Sequence, residues 1–181
     1  MKVVRPEEVG LDPALAYKSS PSGGRELLEI VRALDYSPSG CALDIGCGKG
    51  SAIRTLLRCG FARVDGLELS PGLAQIARRN FSRLRERRTT IFTGDATDFE
   101  QFDSYDFYYL YNPFPGEVLE GCVSEIVSSM DRRPRRTHIL YLNSVHDEQI
   151  AATGRFDAMA HRRNSRGYPI TFHRSTDADD R

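Results

Sequence analysis

The fold is decided by the stretch Cys41-Ala-Leu-Asp-Ile-Gly-Cys-Gly-Lys-Gly50. Its first five residues are apolar apart from Asp44, and so short a run predicts a β-strand buried on both faces rather than a helix. Glycines at 46, 48 and 50 then predict a turn, because glycine adopts positive φ at little steric cost. Between Ser51 and Arg58 the apolar residues recur at helical spacing. The stretch therefore predicts a strand, a glycine turn and the N-terminus of a helix.

Glycine turns of this kind serve several classes of ligand, and the spacing separates the classes. A phosphate-binding loop of the GxxxxGK[ST] type would need glycine where Leu43 stands and serine or threonine where Gly50 stands, which excludes it. A dinucleotide fingerprint GxGxxG that starts at Gly46 lacks its third glycine, since Ser51 occupies that position. The fingerprint also does not require an acid at Asp44. An NAD-dependent Rossmann oxidoreductase therefore stays open as a weaker alternative.

The pattern Asp44-x-Gly46-x-Gly48-x-Gly50 resembles the first motif of class I methyltransferases, which depend on S-adenosylmethionine (SAM). The resemblance covers roughly residues 17–175 and includes Tyr111-Asn-Pro-Phe114 and Asn143-Ser-Val-His146, which follow the predicted fourth and fifth strands. It implies a SAM-dependent methyltransferase that methylates nitrogen or oxygen of a protein or a small molecule. A domain that binds SAM or a nucleotide without catalysis is the remaining alternative.

Strand-like and helix-like segments alternate along the chain from residue 25 onward. Strands are predicted at 41–45, 63–69, 89–93, 105–111 and 138–142, helices at 25–34, 51–58, 71–85, 117–130 and 148–152, and a hairpin at 156–163 and 168–174. This order predicts an α/β fold, a Rossmann-like doubly wound and mostly parallel sheet with a C-terminal antiparallel hairpin. The resemblance further implies that strand seven lies beside strand five. Residues 25–181 are expected to form a single SAM-binding domain, preceded by an N-terminal arm over residues 1–24.

Acidic residues fall at or just after the ends of the first three predicted strands, namely Asp44, Glu68 and Asp95. Because parallel strands end at one edge of a sheet, we expect these carboxylates to lie together. A carboxylate accepts both hydroxyl protons of a ribose, which suits Glu68, while Asp95 and the amide of Ala96 would read an adenine. The resemblance implies a SAM-binding set made of Tyr17, Asp44, Gly46, Cys47, Gly48, Gly50, Glu68, Leu69, Asp95, Ala96 and Asn112. Tyr17 belongs to the arm, which is therefore a candidate lid over the cofactor.

Asn112-Pro-Phe-Pro115 follows the fourth strand, where this family places the group that faces the transferable methyl. The segment is similar to the Asn/Asp-Pro-Pro-aromatic motif of amino-methyltransferases. The resemblance assigns catalytic roles to Asn112, Pro113 and Phe114: oxygens of the motif accept hydrogen bonds from the attacking amine, and the ring packs on the target. A turn stiffened by prolines is the structural alternative. His146 is a further candidate, as a general base near neutral pH.

The composition limits the partners that the chain is expected to have. Lys plus Arg equal Asp plus Glu at 25 each, so no overall positive charge attracts nucleic acid, although arginine clusters at 78–88 and 132–136 leave RNA open as a minor option. No apolar run approaches the roughly 20 residues of a membrane span, so we expect no membrane partner. The four cysteines lack the spacing of a zinc site or a disulfide framework. We therefore expect a cytoplasmic protein without a metal.

Overall fold

The computed structural model describes residues 5–9 and 22–176, which centre on a seven-stranded sheet. The strands are β1 (Cys41–Ile45), β2 (Arg63–Glu68), β3 (Ile91–Thr93), β4 (Phe107–Tyr111), β5 (His138–Leu142), β6 (Phe156–Arg163) and β7 (Pro169–Ser175). The helices are α1 (Arg25–Arg32), α2 (Ser51–Cys59), α3 (Pro71–Leu84), α4 (Gly116–Arg132) and α5 (Glu148–Ala151), with short 3-10 turns at Pro6–Val9 and Phe102–Ser104. Every predicted strand and helix is present, and β3 and β4 each begin two residues later than the sequence pattern predicts.

The strands follow the order β3-β2-β1-β4-β5-β7-β6 across the sheet. The first five are parallel, whereas β7 runs antiparallel to both β5 and β6. This arrangement confirms the doubly wound sheet, the C-terminal hairpin and the placement of strand seven beside strand five. The direction of winding reverses between β1 and β4, and the carboxyl ends of two such strands border the crevice in which open α/β sheets bind ligands.

Each face of the sheet is covered by its own hydrophobic cluster. Side chains alternate along β1, so Ala42 joins the cluster beneath α1, α2 and α3 while Leu43 joins the cluster beneath α4 and α5. Burial of both faces explains why the central strands consist almost entirely of apolar and aromatic residues. With both faces covered, the polar residues at the strand ends are left to form the site.

The apolar face of α3 differs from the sequence pattern in two residues. The helical spacing predicts that Ile76 and Leu84 share the buried face with Leu73 and Phe81, but they are 39% and 51% exposed. Ala74 is buried in their place, because the helix packs through a narrower stripe than the pattern suggests. The helix begins at the predicted residue, Pro71, and Ser70 caps it by accepting a hydrogen bond from the Leu73 amide.

The described part of the chain, residues 5–9 and 22–176, contains no helix with both the length and the apolar character of a membrane span. The N-terminal arm falls largely outside these residues. Tyr17, which the resemblance places over the cofactor, is among the residues that the structure does not describe.

Candidate functional site

The glycine loop, residues 46–50, joins β1 to α2 at the carboxyl edge of the sheet. All three of its glycines have φ between 54° and 82°, in the left-handed region. A Cβ atom on Gly46 would lie 2.5 Å from Cβ of Pro113, and one on Gly50 would lie 2.5 Å from the ring of Phe81. Glycine is therefore required by both conformation and space, since the loop is wedged between α3 and the segment that follows β4.

The backbone amides of the glycine loop point toward the end of β2. Those of Gly46 and Cys47 donate to the carbonyl oxygen of Leu67 at 2.9 and 3.0 Å. The next amide, on Gly48, donates to Oε2 of Glu68 at 2.7 Å. A loop that binds phosphate directs such amides at its anion. Here three consecutive amides are taken up by the protein itself, so the loop is not built as a phosphate cradle.

Two buried carboxylates, Asp44 and Glu68, lie at the ends of the adjacent strands β1 and β2. Glu68 is 6% exposed and also accepts a hydrogen bond from the amide of Ser70 at 2.9 Å. Asp44 is 3% exposed, and its Oδ2 atom has no hydrogen-bond partner among the described residues. Burial, together with the negative charge of Glu68, raises the pKa of Asp44 well above its usual range. Burial also raises the pKa of Glu68, against the opposing effect of its two backbone hydrogen bonds.

This pair has a clear chemical preference. A buried carboxylate is costly unless it is paired, and two of them in close proximity repel each other. A cation that enters the site would relieve both effects, whereas an anion would add to them. The electrostatics of the site therefore favour a positively charged ligand.

Cys47, inside the glycine loop, is a packing residue in this structure. Burial and the charges of Asp44 and Glu68 raise the pKa of its thiol well above the usual value, which keeps it protonated. A Cβ atom on Gly66 would lie 2.6 Å from its sulfur, so the glycine on β2 makes room for the thiol. Within the described residues, His, Cys, Asp and Glu side chains nowhere gather in threes as metal ligands would.

The segment after β3 contains the residues predicted to read the adenine. Asp95 accepts hydrogen bonds through Oδ1 from both the amide and the hydroxyl of Thr97, each at 2.9 Å. This is an Asx turn, which fixes the carboxylate at the edge of the sheet. Ala96 is buried, and Leu69, after β2, is half-buried. The adenine-reading role of Asp95 and Ala96 stays a prediction, as does the contact of Leu69 with the cofactor.

The Asn112 side chain is held in place by a neighbouring strand. Asn112 has a φ of 40°, a left-handed conformation that asparagine tolerates better than most residues. The hydroxyl of Tyr141, which is fully buried on β5, donates to its Oδ1 atom at 3.0 Å. Pro113 packs on the glycine loop, and the ring of Phe114 is buried in the cluster beneath α4. The three residues thus form a rigid segment, and their contact with a substrate stays a prediction.

The segment after β5 repeats this backbone conformation. Asn143 has a φ of 51°. His146 follows it, with Nδ1 3.7 Å from the carboxylate of Glu148. A Cβ atom on Gly116 would lie 3.3 Å from the same nitrogen. The segment after β5 therefore packs against the start of α4.

The end of the N-terminal arm is held beside the glycine loop by hydrogen bonds. The amides of residues 22–24 donate to the hydroxyls of Ser51 and Thr55 on α2 at distances from 2.8 to 3.4 Å. The hydroxyl of Tyr109 on β4 donates to the carbonyl of residue 22 at 3.4 Å. The arm therefore joins the domain next to the site. Since Tyr17 lies outside the described residues, its closure over a cofactor stays a prediction.

Sequence reasoning missed Tyr109 and Tyr141 as residues that support the site. Both stand in runs of aromatic and aliphatic residues that predict buried strands, and both are buried. The available signal is that a buried tyrosine needs a partner for its hydroxyl group. That signal indicates a hydrogen bond without naming its partner, which lies far away along the chain in both cases.

Part of the chain is similar in sequence to proteins that are already known. A family model described as "Methyltransferase domain" matches residues 42–132. The ribosomal protein L11 methyltransferase of Burkholderia mallei is 32% identical over 103 residues, which are 57% of this chain and 34% of that protein. The chain thus spans about a third of the length of the curated relatives that it matches.

Solved structures show the same fold at low sequence identity. The PH0226 protein of Pyrococcus horikoshii OT3 aligns with a TM-score of 0.67 and 16% identity, over 83% of this chain and 89% of that one. The magnesium protoporphyrin IX methyltransferase of Synechocystis PCC 6803, solved with bound SAM, aligns with a TM-score of 0.61 and 18% identity, over 82% and 75% of the two chains. At such identities the likeness supports the fold.

Proposed function

Since the chain belongs to the methyltransferase domain family, we propose that it binds SAM at the carboxyl edge of its sheet and transfers the methyl group to an acceptor. The observation that carries the proposal is the buried carboxylate pair, in which Asp44 has an oxygen without a partner in the described structure. The residues around the pair offer neither a phosphate cradle nor a metal site in the described part of the chain.

The same observation separates SAM from a nicotinamide dinucleotide. SAM carries positive charge on its sulfonium and its ammonium group, whereas NAD carries a negatively charged pyrophosphate. The buried pair attracts the first and repels the second. The amides of Gly46, Cys47 and Gly48 would need to leave Leu67 and Glu68 before they could bind a pyrophosphate. We therefore favour SAM over NAD as the ligand.

Each residue of the proposed site has a part that its chemistry suits. Asp44 binds the cationic end of the cofactor through its unpartnered oxygen. Glu68 accepts the ribose hydroxyls through the lone pairs that its two amide partners leave over. Asp95 and Ala96 read the adenine, and Leu69 packs beside the ribose. The glycine loop, which includes Cys47, lets the cofactor approach the backbone because glycine has no side chain.

Bound SAM supplies a methyl group that its sulfonium already activates, so the protein acts mainly by positioning the acceptor. Tyr141 holds the amide of Asn112, whose carbonyl oxygen keeps a second lone pair for a hydrogen bond from the attacking atom. Pro113 stiffens the turn, and Phe114 anchors it in the core. His146 is a candidate to accept a proton from the acceptor.

We propose a protein or a small molecule as the acceptor, methylated on nitrogen or oxygen. The relative from Burkholderia mallei is a ribosomal protein methyltransferase, which supports a protein acceptor for this chain. A cytoplasmic location belongs to the same proposal. It is supported by the four cysteines, all of which are free thiols, as a reducing compartment would keep them.

The competing function is a domain that binds SAM without catalysis. The purified chain is incubated with methyl-labelled SAM and a cell extract, and labelled products are sought by mass spectrometry. We expect a labelled product that disappears when Asn112→Ala replaces the wild type. Cofactor binding without any labelled product would favour the non-catalytic alternative.

The N-terminal arm, residues 1–24, is the proposed lid over the methionine end of SAM. Its attachment at residues 22–24, beside the glycine loop, supports this proposal. Deletion of residues 1–20, which include Tyr17, is expected to weaken SAM binding while leaving the fold intact. Unchanged affinity, together with unchanged protease sensitivity when cofactor is added, would reject the lid.

A further inference from the structure

A groove of about 610 Å³ lies between α2, α3 and the end of the arm. Four of the residues that line it are cations, Lys49, Arg54, Arg58 and Arg83, and none is acidic. We call it the basic groove. The whole chain has a formal charge of zero, so these cations are a local concentration and not part of a general positive field.

The arginines of the basic groove are uncompensated. Arg54 and Arg58 stand four residues apart and therefore project from the same side of α2. Together with Arg83, they form no side-chain hydrogen bond or ion pair among residues 5–9 and 22–176. Other surface arginines do form such pairs, as Arg132 does with Asp103 at 2.7 Å. The groove therefore has a surplus of positive charge that suits an anionic ligand.

The positive charges are arranged in a row. Lys49 lies in the glycine loop just before α2, and Arg58 lies in the last turn of that helix, about 10 Å from its first residue at 1.5 Å per residue. Burial raises the pKa of the Cys59 thiol at the end of α2, and the charges of Arg32 and Arg58 oppose this shift, so both guanidinium groups lie near that thiol. A row of this length exceeds a single phosphate group and suits a chain of regularly spaced anions.

The residues of α3 that line the basic groove favour one kind of polyanion over another. Leu84, 51% exposed, and Phe81 line the groove on either side of Arg83 along α3 and add an apolar patch to it. Asn80 lies beside them and donates its amide to the carbonyl of Lys49, which leaves Oδ1 as an acceptor. A nucleotide presents a flat apolar base next to its phosphate, and RNA adds a 2′-hydroxyl that can donate to such an acceptor. An acidic peptide does not repeat a flat ring and a 2′-hydroxyl beside each of its anionic groups.

We propose that the basic groove binds single-stranded RNA through its phosphate backbone. Guanidinium groups match phosphate oxygens in a bidentate manner, which suits the unpaired arginines. A single strand leaves its bases free to contact the apolar patch of the groove, whereas a duplex keeps them stacked inside. The proposal does not depend on methyl transfer, because none of the three arginines belongs to the proposed cofactor site.

The test measures fluorescence anisotropy of a labelled 12-nucleotide RNA with the full chain over a range of salt concentrations. For three to four contacted phosphates, the logarithm of the binding constant should fall with a slope of about −2 to −3 against the logarithm of the salt concentration. The variant Arg54→Gln/Arg58→Gln/Arg83→Gln should bind about 100-fold more weakly at 0.1 M salt, since each phosphate contact contributes about 0.7 of a decade there.

A matched control removes the same charge elsewhere. Arg87, Arg166 and Arg174 are exposed and do not line the groove, so Arg87→Gln/Arg166→Gln/Arg174→Gln should stay within about threefold of the wild type. The proposal is overturned if the wild type does not bind RNA at 50 mM salt or if the two triple variants lose affinity equally. It is also overturned if poly-glutamate or DNA of the same sequence competes as well as unlabelled RNA. A SAM titration of each variant keeps these outcomes separate from those of the proposed function.

Discussion

The backbone amide of Gly48 donates a 2.7 Å hydrogen bond to the carboxylate of Glu68, which ties the glycine loop to the end of β2. Glu68 therefore has two parts, since it fixes the loop and keeps lone pairs for a ligand. Asp44, whose Oδ2 atom has no hydrogen-bond partner in the described structure, lies close to Glu68. The two carboxylates therefore concentrate negative charge at the ends of β1 and β2.

Replacement of Glu68 tests both of its parts. Glu68→Gln keeps the size of the side chain and one acceptor oxygen. In the wild type the backbone amide of Ser70 donates to the carboxylate of Glu68. In the variant the side-chain NH2 group would face that donor and could not accept the hydrogen bond. We expect SAM affinity to fall about 10- to 150-fold, as loss of 1.5–3 kcal/mol from hydrogen bonds to a charged group implies. Titration calorimetry measures this change. Glu68→Gln binding SAM as tightly as the wild type would remove the residue from the cofactor site.

Replacement of Asp44 is expected to raise stability and lower function. The folded-state pKa of Asp44 lies above its unfolded value, so the carboxyl group loses its stabilising contribution as the pH rises through the folded pKa. Asp44→Asn removes the ionisable group, so the variant does not lose stability in this way as the pH rises. Without ligand at pH 8 the variant should be more stable than the wild type and should unfold at a higher Tm.

The same variant should bind SAM poorly, because the amide cannot neutralise a cation. Thermal unfolding at pH 4 supplies the control, since a protonated Asp44 and an asparagine then differ little. SAM should stabilise the wild type and leave the variant almost unchanged. A variant that is less stable at pH 8, yet binds SAM normally, would show that the carboxylate is structural.

The hydrogen bond between Tyr141 and Asn112 connects a buried strand to the proposed catalytic segment. Tyr141→Phe removes only the hydroxyl and frees the amide to rotate. We expect a lower kcat, by about 10-fold for a loss of roughly 1.4 kcal/mol of positioning, with nearly unchanged SAM affinity. Asn112→Ala should reduce kcat further. Equal losses of turnover and SAM affinity in both variants would make the segment a structural turn.

His138 gives the fold a defined sensitivity to acid. Burial, together with the charges of Arg136 and Arg174, lowers its pKa from 6.5 to about 4. The unfolded chain therefore binds this proton more readily, and the contribution of the neutral ring to stability is lost as the pH falls from 6.5 toward 4. Over this pH range the free energy of unfolding loses about 3 kcal/mol through this group. Denaturant unfolding of His138→Asn should show a flatter dependence on pH in this window than the wild type does, and parallel curves would contradict this assignment.

Local patterns were sufficient to predict most of the fold. The strand, glycine turn and helix around residues 41–58 were predicted from neighbouring residues, because turn conformation and periodicity are properties of the local sequence. The pairing of β7 with β5 came from the family resemblance alone. Strand pairing depends on contacts far apart in the chain, and nothing in the pattern of either strand specifies its partner.

The site was predictable to a lesser extent for the same reason. The positions of Asp44 and Glu68 follow from the ends of their strands, but their shared burial depends on packing around both. The direction of the loop amides, the bond from Tyr141 to Asn112 and the burial of Phe114 depend on tertiary contacts. The resemblance implies that the ring of Phe114 packs on the target. The ring lies in the core cluster beneath α4, and its contact with a target stays a prediction.

We propose that the carboxylate pair of Asp44 and Glu68 selects a cationic cofactor, and calorimetric titration of the full chain with SAM and with NAD tests this selection. At pH 8 we expect SAM to bind with a measurable heat and NAD to give none. SAM affinity should fall as the pH is lowered and Asp44 becomes protonated, because its raised pKa means that the cation competes with a proton. Tight binding of NAD without any heat from SAM would show that the carboxylate pair does not select a cation.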